Sequence, residues 1–233
     1  MSPEAPGPDD PASGRTTLVF GATGLVGGAL LERLLGEPDV REVVAPVRRP
    51  VPEMEGLPRA RAPIVDFDAL PDALAGVRVE QVFVCLGTTM SRAGSREAFR
   101  RVDHDVVVAA LRAGLDAGAR DAFFVSSLGA SPSARSFYLR VKAEAEEALL
   151  ALPFRSAHVF RPSLLTGHRD EARPVERLGT LLGTLMSPVM VGPARRYRPI
   201  AAAVVAAAMV ATARRPRAGR WIHESEEIVR LGS

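Results

Sequence analysis

The chain has 233 residues, 47% of them hydrophobic and 24% charged, which is enough to bury one full core and form a single domain. Thirty basic residues against twenty-seven acidic leave a net charge of only +3, and no basic stripe is interleaved with aromatics, so specific nucleic-acid binding is not expected. The single cysteine, Cys85, excludes an intramolecular disulfide framework and suits a reducing compartment, which sets the expectation of a cytoplasmic protein.

Residues 1–14, "MSPEAPGPDDPASG", have no basic or apolar leader pattern and are rich in proline and acid, so a disordered tail is expected there. "TTLVF" (16–20) reads as a first strand, followed by the helical pattern "LVGGALLERLLG". "EVVAPV" (42–47) and "APIVDF" (62–67) read as the second and third strands. "DALPDALAGV" is a short helix, and "EQVFVCLG" (80–87) a buried fourth strand. The long helix "SREAFRRVDHDVVVAALRAGLDAG" leads to a fifth strand, "RDAFFVSS" (120–127). A helix opened by "FYLRVKAEAEEALL" (137–150) follows, and then a sixth strand, "RSAHVF" (155–160). The run "IAAAVVAAAMVATA" (200–213) falls short of the roughly 20 residues of a membrane span. It predicts a closely packed helix and no membrane association. "GRWIHESEEIVRL" adds one more strand and a short helix near the sheet edge.

Apolar strands alternating with helices predict an α/β fold, a doubly wound parallel sheet with helices on both faces. The turn after the first strand carries Gly21, Gly24 and Gly27 in a G-x-x-G-x-x-G spacing. Glycines there permit a tight turn, close approach of backbone amides to a pyrophosphate, and close packing of helix on strand. Such a triplet also serves any tight β–α turn, but its place between the first strand and first helix points to a dinucleotide. Residues 15–233 are therefore expected to form one NAD(P)-binding Rossmann domain. About 20 residues past Gly27, where NAD binders place a carboxylate for the ribose 2′-OH, the chain has Arg48-Arg49. Two guanidiniums suit a 2′-phosphate, so NADPH (NADP) is the expected cofactor.

Lys142 is the only lysine; the other twenty-nine basic residues are arginine. It follows Tyr138 by four residues, so the two share a helix face. An ammonium beside a phenol favours the phenolate and makes it a better proton donor or acceptor near neutrality. The same ammonium can donate to ribose hydroxyls, a task for a compact point charge more than for a planar guanidinium. Ser127, with Ser126 next to it, ends the fifth strand at the carboxyl edge of the sheet, where ligands of open α/β folds bind. Either can orient a substrate oxygen.

With these residues in place, the sequence resembles the atypical, extended-like short-chain dehydrogenase/reductase family. Within it, the chain is most similar to the Tat-interacting-protein (oxidoreductase HTATIP2-like) group of NAD(P)H-binding proteins. "FGATGLVG", "VRRP", "CLGTTMSRAGSREAFRRVDHD", "VSSLGAS", "FYLRVKAEAE" and "FRPSLLTGHRDEAR" carry the resemblance, over roughly residues 16 to 175. It implies that Thr23, Gly24, Leu25 and Val26 line the pyrophosphate and that Arg48 and Arg49 hold the 2′-phosphate. It further implies Asp66 at the adenine and Leu86 and Gly87 along the dinucleotide. Tyr138 and Lys142 become the catalytic pair, Leu165 covers the nicotinamide side, and Arg173 reaches back to the cofactor. Leu25-Val26 departs from members with polar residues in that turn.

Cys85 reads as core, not redox-active. His104, His158, His168 and His223 are dispersed without metal-ligand spacing, so no metal is expected. His158 reads as a strand residue, and His168 lies beside the substrate region. Asp103 and Asp105 read as structural contacts or a solvated face, and "RRPRAGR" (214–220) as a solvated turn. A small C-terminal region, residues 162–198, is expected to cover the substrate. Two functional readings remain open at this point. One is an NADPH-dependent oxidoreductase acting on a small carbonyl or alcohol substrate. The other is a non-catalytic, NADPH-binding regulatory or redox-sensing protein, which would add a protein partner.

Overall fold

A computed structural model of the chain describes residues 14–167 and 197–233. Seven parallel strands form the central sheet: β1 (Arg15–Phe20), β2 (Val40–Val44), β3 (Ala60–Arg61), β4 (Gln81–Val84), β5 (Asp121–Val125), β6 (Ser156–Arg161) and β9 (Gly219–Glu224). Their spatial order is β3-β2-β1-β4-β5-β6-β9. The order reverses between β1 and β4, so a crevice opens beyond the carboxyl ends of those two neighbours. The glycine turn after β1 and the Gly87 turn after β4 both sit there. A separate two-stranded sheet pairs β7 (Leu165–Thr166) with β8 (Ile200–Ala201).

Helices cover both faces, as the alternation of elements predicted. On one face, α1 (Leu25–Gly36), α7 (Ala202–Arg214) and α8 (Ser225–Leu231) bury Val26, Leu30, Leu34, Val205, Met209 and Ile228 against the strand residues Val19, Phe83, Phe123 and Phe160. On the other, α2 (Leu70–Ala73), α5 (Val106–Asp116) and α6 (Phe137–Ala151) pack Leu70, Leu111, Ala145 and Leu149 on Leu18, Val82 and Phe124. Small side chains let helices approach closely: the alanine-rich α7 lies along α1, and a Cβ on Gly114 of α5 would fall 2.7 Å from Val82 Cβ. Two short helices, α3 (Met90–Ala93) and α4 (Arg96–Arg100), are capped by the Thr89 and Ser95 hydroxyls, which accept from the Arg92 and Ala98 amides. The predicted final strand and short helix are β9 and α8.

Two expectations change. The third strand, expected over 62–67, is Ala60–Arg61 with a separate bridge from Val47 to Ile64. Pro63 has no N–H to offer the ladder, so this edge strand is interrupted. The long helix expected from 95 is broken by a π-helical turn, Arg101–Asp105, between α4 and α5. The arginines of 214–220 are exposed as expected, but three of them are also tied. Arg214 pairs with Glu37 at 2.7 and 2.8 Å, Arg217 stacks on Trp221, and Arg220 donates to the carbonyls of Leu150, Leu152 and Phe154.

Candidate active site

The glycine turn is built by contacts that no side chain would allow. Gly21 has φ +84°, and a Cβ there would lie 2.7 Å from the Cys85 carbonyl oxygen. A Cβ on Gly27 would lie 2.0 Å from the Gly21 carbonyl oxygen. Helix α1 thus begins pressed against the end of β1, with Gly24 as its N-cap and no acidic residue in its first turn. The amides of Leu25 and Val26, in that first turn, have no intrahelical carbonyl to bind. This cradle fits a pyrophosphate: it supplies free donors, the positive end of the helix, and bare backbone for close approach.

Arg48 and Arg49 follow Val47 at the carboxyl end of β2 and are exposed. Neither has an ion pair or side-chain hydrogen bond among the described residues, so both guanidiniums are open to an anion. Asp66, exposed beyond the Ile64 bridge, accepts from the Asp68 amide at 2.9 Å. Leu86 is half-buried and Gly87 exposed at the turn after β4. Leu165 of β7 packs against the α1 face of the core, and Gly167 reaches Leu25, so this small sheet borders the glycine turn. A cleft of about 700 Å³ between α1 and residues 51–59, lined by Leu31, Met54 and Leu57, shares only Thr23 with the expected cofactor set. Arg173 and His168, with most of the expected substrate cover, lie outside the described residues, as does the tail over residues 1–13.

Tyr138 and Lys142 sit one turn apart on α6. The Tyr138 ring packs on Phe99, centroids 5.4 Å apart, and is half-buried, with its hydroxyl making no hydrogen bond among the described residues. Lys142 is 4% exposed, its Nζ 5.5 Å from the centre of the Phe124 ring. Its partner is Asp103, expected from the sequence to make a structural contact or lie on a solvated face, and it makes a structural contact. Asp103, fully buried on the π-helical turn, places Oδ1 2.8 Å from Lys142 Nζ, while Oδ2 accepts from the Thr88 amide at 2.8 Å. Nothing in the local pattern "RVDHD" marks that turn. The available signal was a carboxylate on the helix facing the only lysine.

Ser126 and Ser127 end β5. The Ser126 amide donates to the Phe160 carbonyl, and its side chain is 5% exposed with an unpartnered hydroxyl. Ser127 is half-exposed at the same edge. Cys85, at the end of β4, has its thiol pushed up to about 12 by desolvation, which suits its reading as an inert core residue.

A profile of the NAD dependent epimerase/dehydratase family matches residues 17–215. The chain belongs to that family. Within it, the expected likeness to the HTATIP2-like group holds: the chain is 34% identical to Protein HTATIP2 of Rattus norvegicus over 166 residues, covering 70% of this chain and 68% of that one. It is 31% identical to Protein fmp52, mitochondrial, of Aspergillus clavatus over 226 residues, covering 92% and 97%. Solved structures share the fold. The UDP-glucuronic acid 4-epimerase of Bacillus cereus in complex with NAD aligns with TM-score 0.66 at 16% identity, covering 91% of this chain and 78% of that one. MoeE5 in complex with UDP-glucose and NAD aligns with TM-score 0.65 at 21% identity, covering 93% and 80%. Several FMP52 relatives are named mitochondrial, which overturns the cytoplasmic expectation. Cysteine count does not separate one reducing compartment from another. No helix among the described residues is long and apolar enough to cross a membrane.

Proposed function

We propose that this epimerase/dehydratase-family protein is an NADPH-dependent oxidoreductase of the short-chain dehydrogenase/reductase type, interconverting a carbonyl and an alcohol on a small substrate. The observation that carries this reading is the placement of the only lysine. Its ammonium is buried against the turn after β4, at the point where the sheet order reverses, one helical turn from a phenol with a free hydroxyl.

The Leu25 and Val26 amides would hold the pyrophosphate at the start of α1, and the exposed Arg48 and Arg49 would bind the 2′-phosphate through charge-assisted hydrogen bonds. Bound nicotinamide supplies the hydride donor or acceptor, a chemistry that no side chain here provides. Tyr138 Oη would give its proton to the carbonyl oxygen in reduction and take one from the alcohol in oxidation. Lys142 would stabilise the phenolate as it forms and donate to the ribose hydroxyls. Ser127, the more open of the two serines, would orient the substrate oxygen; Ser126 would support it from below. The half-buried Leu165 would shield the nicotinamide side from water, and Asp66 would border the adenine.

Tyr138→Phe tests the reading. Purified wild-type protein should turn over members of a carbonyl panel with NADPH, and the variant should lose about 10²–10⁴-fold in kcat while cofactor affinity stays within about twofold. Tight NADPH binding with no turnover across the panel would instead favour the regulatory role.

A further inference from the structure

Lys142 does not stand free beside Tyr138. Its Nζ lies 2.8 Å from Asp103 Oδ1, and the pair is closed off from solvent, with side chains 5% and 0% exposed. The second carboxylate oxygen is also committed, since the Thr88 amide donates to it at 2.8 Å. One carboxylate therefore joins three elements: the π-helical turn it sits on, the turn after β4, and α6. The bare backbone of Gly87 leaves the room. A Cβ there would fall 3.2 Å from Asp103 Oδ1 and 3.4 Å from Lys142 Nζ.

A π turn adds one residue to a helix and rotates the side chains that follow, which is a frequent device at functional sites. Here it brings Asp103 inward while its neighbour Asp105 stays outside, bonded to His104 at 2.7 Å. The other buried or half-buried carboxylates of α6 are already tied. Glu146 holds Arg161, and Glu144 pairs with Arg100. A mere staple between the π turn and α6 would be served as well by arginine, which this chain uses for every other positive charge. The compact ammonium and the link to the Thr88 amide fit a different task.

We propose that Asp103 is a positioning residue: its carboxylate, clamped by the Thr88 amide, holds the Lys142 ammonium in a buried ion pair and so aims its N–H groups past Gly87 toward the nicotinamide-side ribose. Asp103 touches neither cofactor nor substrate and acts through Lys142. The inference rests on the function proposed above and adds the residue that makes its lysine competent. An ammonium has three donors that rotate about one bond. Held against the carboxylate, Nζ keeps one place, and that place limits what its donors can reach.

The single lysine makes the test direct, because selective isotope labelling of lysine gives one side-chain Nζ signal. The wild type, Asp103→Asn, Lys142→Met and the charge-neutral double variant Asp103→Asn/Lys142→Met would each be titrated with NADPH by calorimetry. The labelled wild type and Asp103→Asn would be followed by NMR. Expected are a wild-type Nζ signal that shifts on NADPH addition, an Nζ signal already displaced in Asp103→Asn, and an affinity loss of about tenfold in that variant. In the Lys142→Met background the same Asp103→Asn change should alter affinity by less than about twofold, since its effect passes through the lysine. Should the single variants fail to fold, the double variant carries the test: it should fold and bind with at least about tenfold loss. An Asp103→Asn protein with lower thermal stability but wild-type affinity would overturn the proposal, leaving a staple. So would a double variant that binds like wild type. Wild-type protein that binds no nicotinamide nucleotide would instead bring down the proposed function, and this inference with it.

Discussion

An alanine Cβ at Gly27 would fall 2.0 Å from the carbonyl oxygen of Gly21, so the first helix of the domain starts in direct contact with the turn that feeds it. That oxygen is backbone and also accepts the Gly24 amide at 2.9 Å, so it cannot yield without opening the turn. Gly27→Ala should therefore lower thermal stability and weaken NADPH binding together. Gly36→Ala, at the far end of the same helix with nothing within 4 Å of the new Cβ, should be neutral or stabilising by up to about 1 kcal/mol. Thermal unfolding with and without NADPH checks both.

Gly114→Ala separates fold from site. The added Cβ would meet all three outer carbons of Val82 within 2.9 Å, in the middle of the sheet-to-α5 packing. A loss of about 1–3 kcal/mol in stability is expected from overpacking. NADPH affinity of the folded protein should not change, since no residue of the cradle is touched. Chemical denaturation and calorimetry on the same preparation measure the two quantities.

A buried stack gives the protein an acid-sensitive element. His158 lies between Phe123 and His223, with centroids 5.3 and 5.2 Å away, and its ring nitrogens meet Ser156 Oγ at 2.8 Å and His223 Nε2 at 2.9 Å. Burial, with the neighbouring His223 adding to it, lowers its pKa to about 4 from an ordinary 6.5. Between those values the unfolded chain takes up a proton that the folded protein refuses, so stability rises with pH across this window. Stability should thus fall as pH drops from about 6.5 toward about 4. His158→Gln, which cannot titrate, should lose that component of the slope. Denaturation midpoints at half-unit pH steps reveal it.

The α/β class, the strand sequence, the glycine turn and the family likeness were legible because each is written locally: β-branched runs, a glycine spacing, a tyrosine and lysine at helical distance. What escaped was set by tertiary contact. The π turn that carries Asp103 inward has no local signature, and a periodic reading of "SREAFRRVDHDVVVAALRAG" sees one continuous helix. The ties of Arg214 and Arg220 escaped because their partners, Glu37 and the carbonyls after α6, come from remote segments. Pro63 interrupts the third strand because it has no N–H for the ladder, a cost that an apolar run alone does not show.

Arg48 and Arg49 should decide between the two forms of the cofactor. Replacing both by alanine removes two charged donors from the end of β2 without touching the core, since both are exposed. NADPH affinity should fall by about ten- to hundredfold, at roughly 1.5–3 kcal/mol per hydrogen bond to a charged group, partly offset by solvent. NADH affinity should stay within about twofold, because it lacks the 2′-phosphate these side chains would meet.

The most direct measurement is a pair of calorimetric titrations of the wild-type protein, one with NADPH and one with NADH, in the same buffer at moderate salt. The account predicts one site per chain for each, with NADPH bound at least about tenfold more tightly. Equal affinity for the two would contradict the role given to Arg48 and Arg49, and binding of neither would contradict the account at its base.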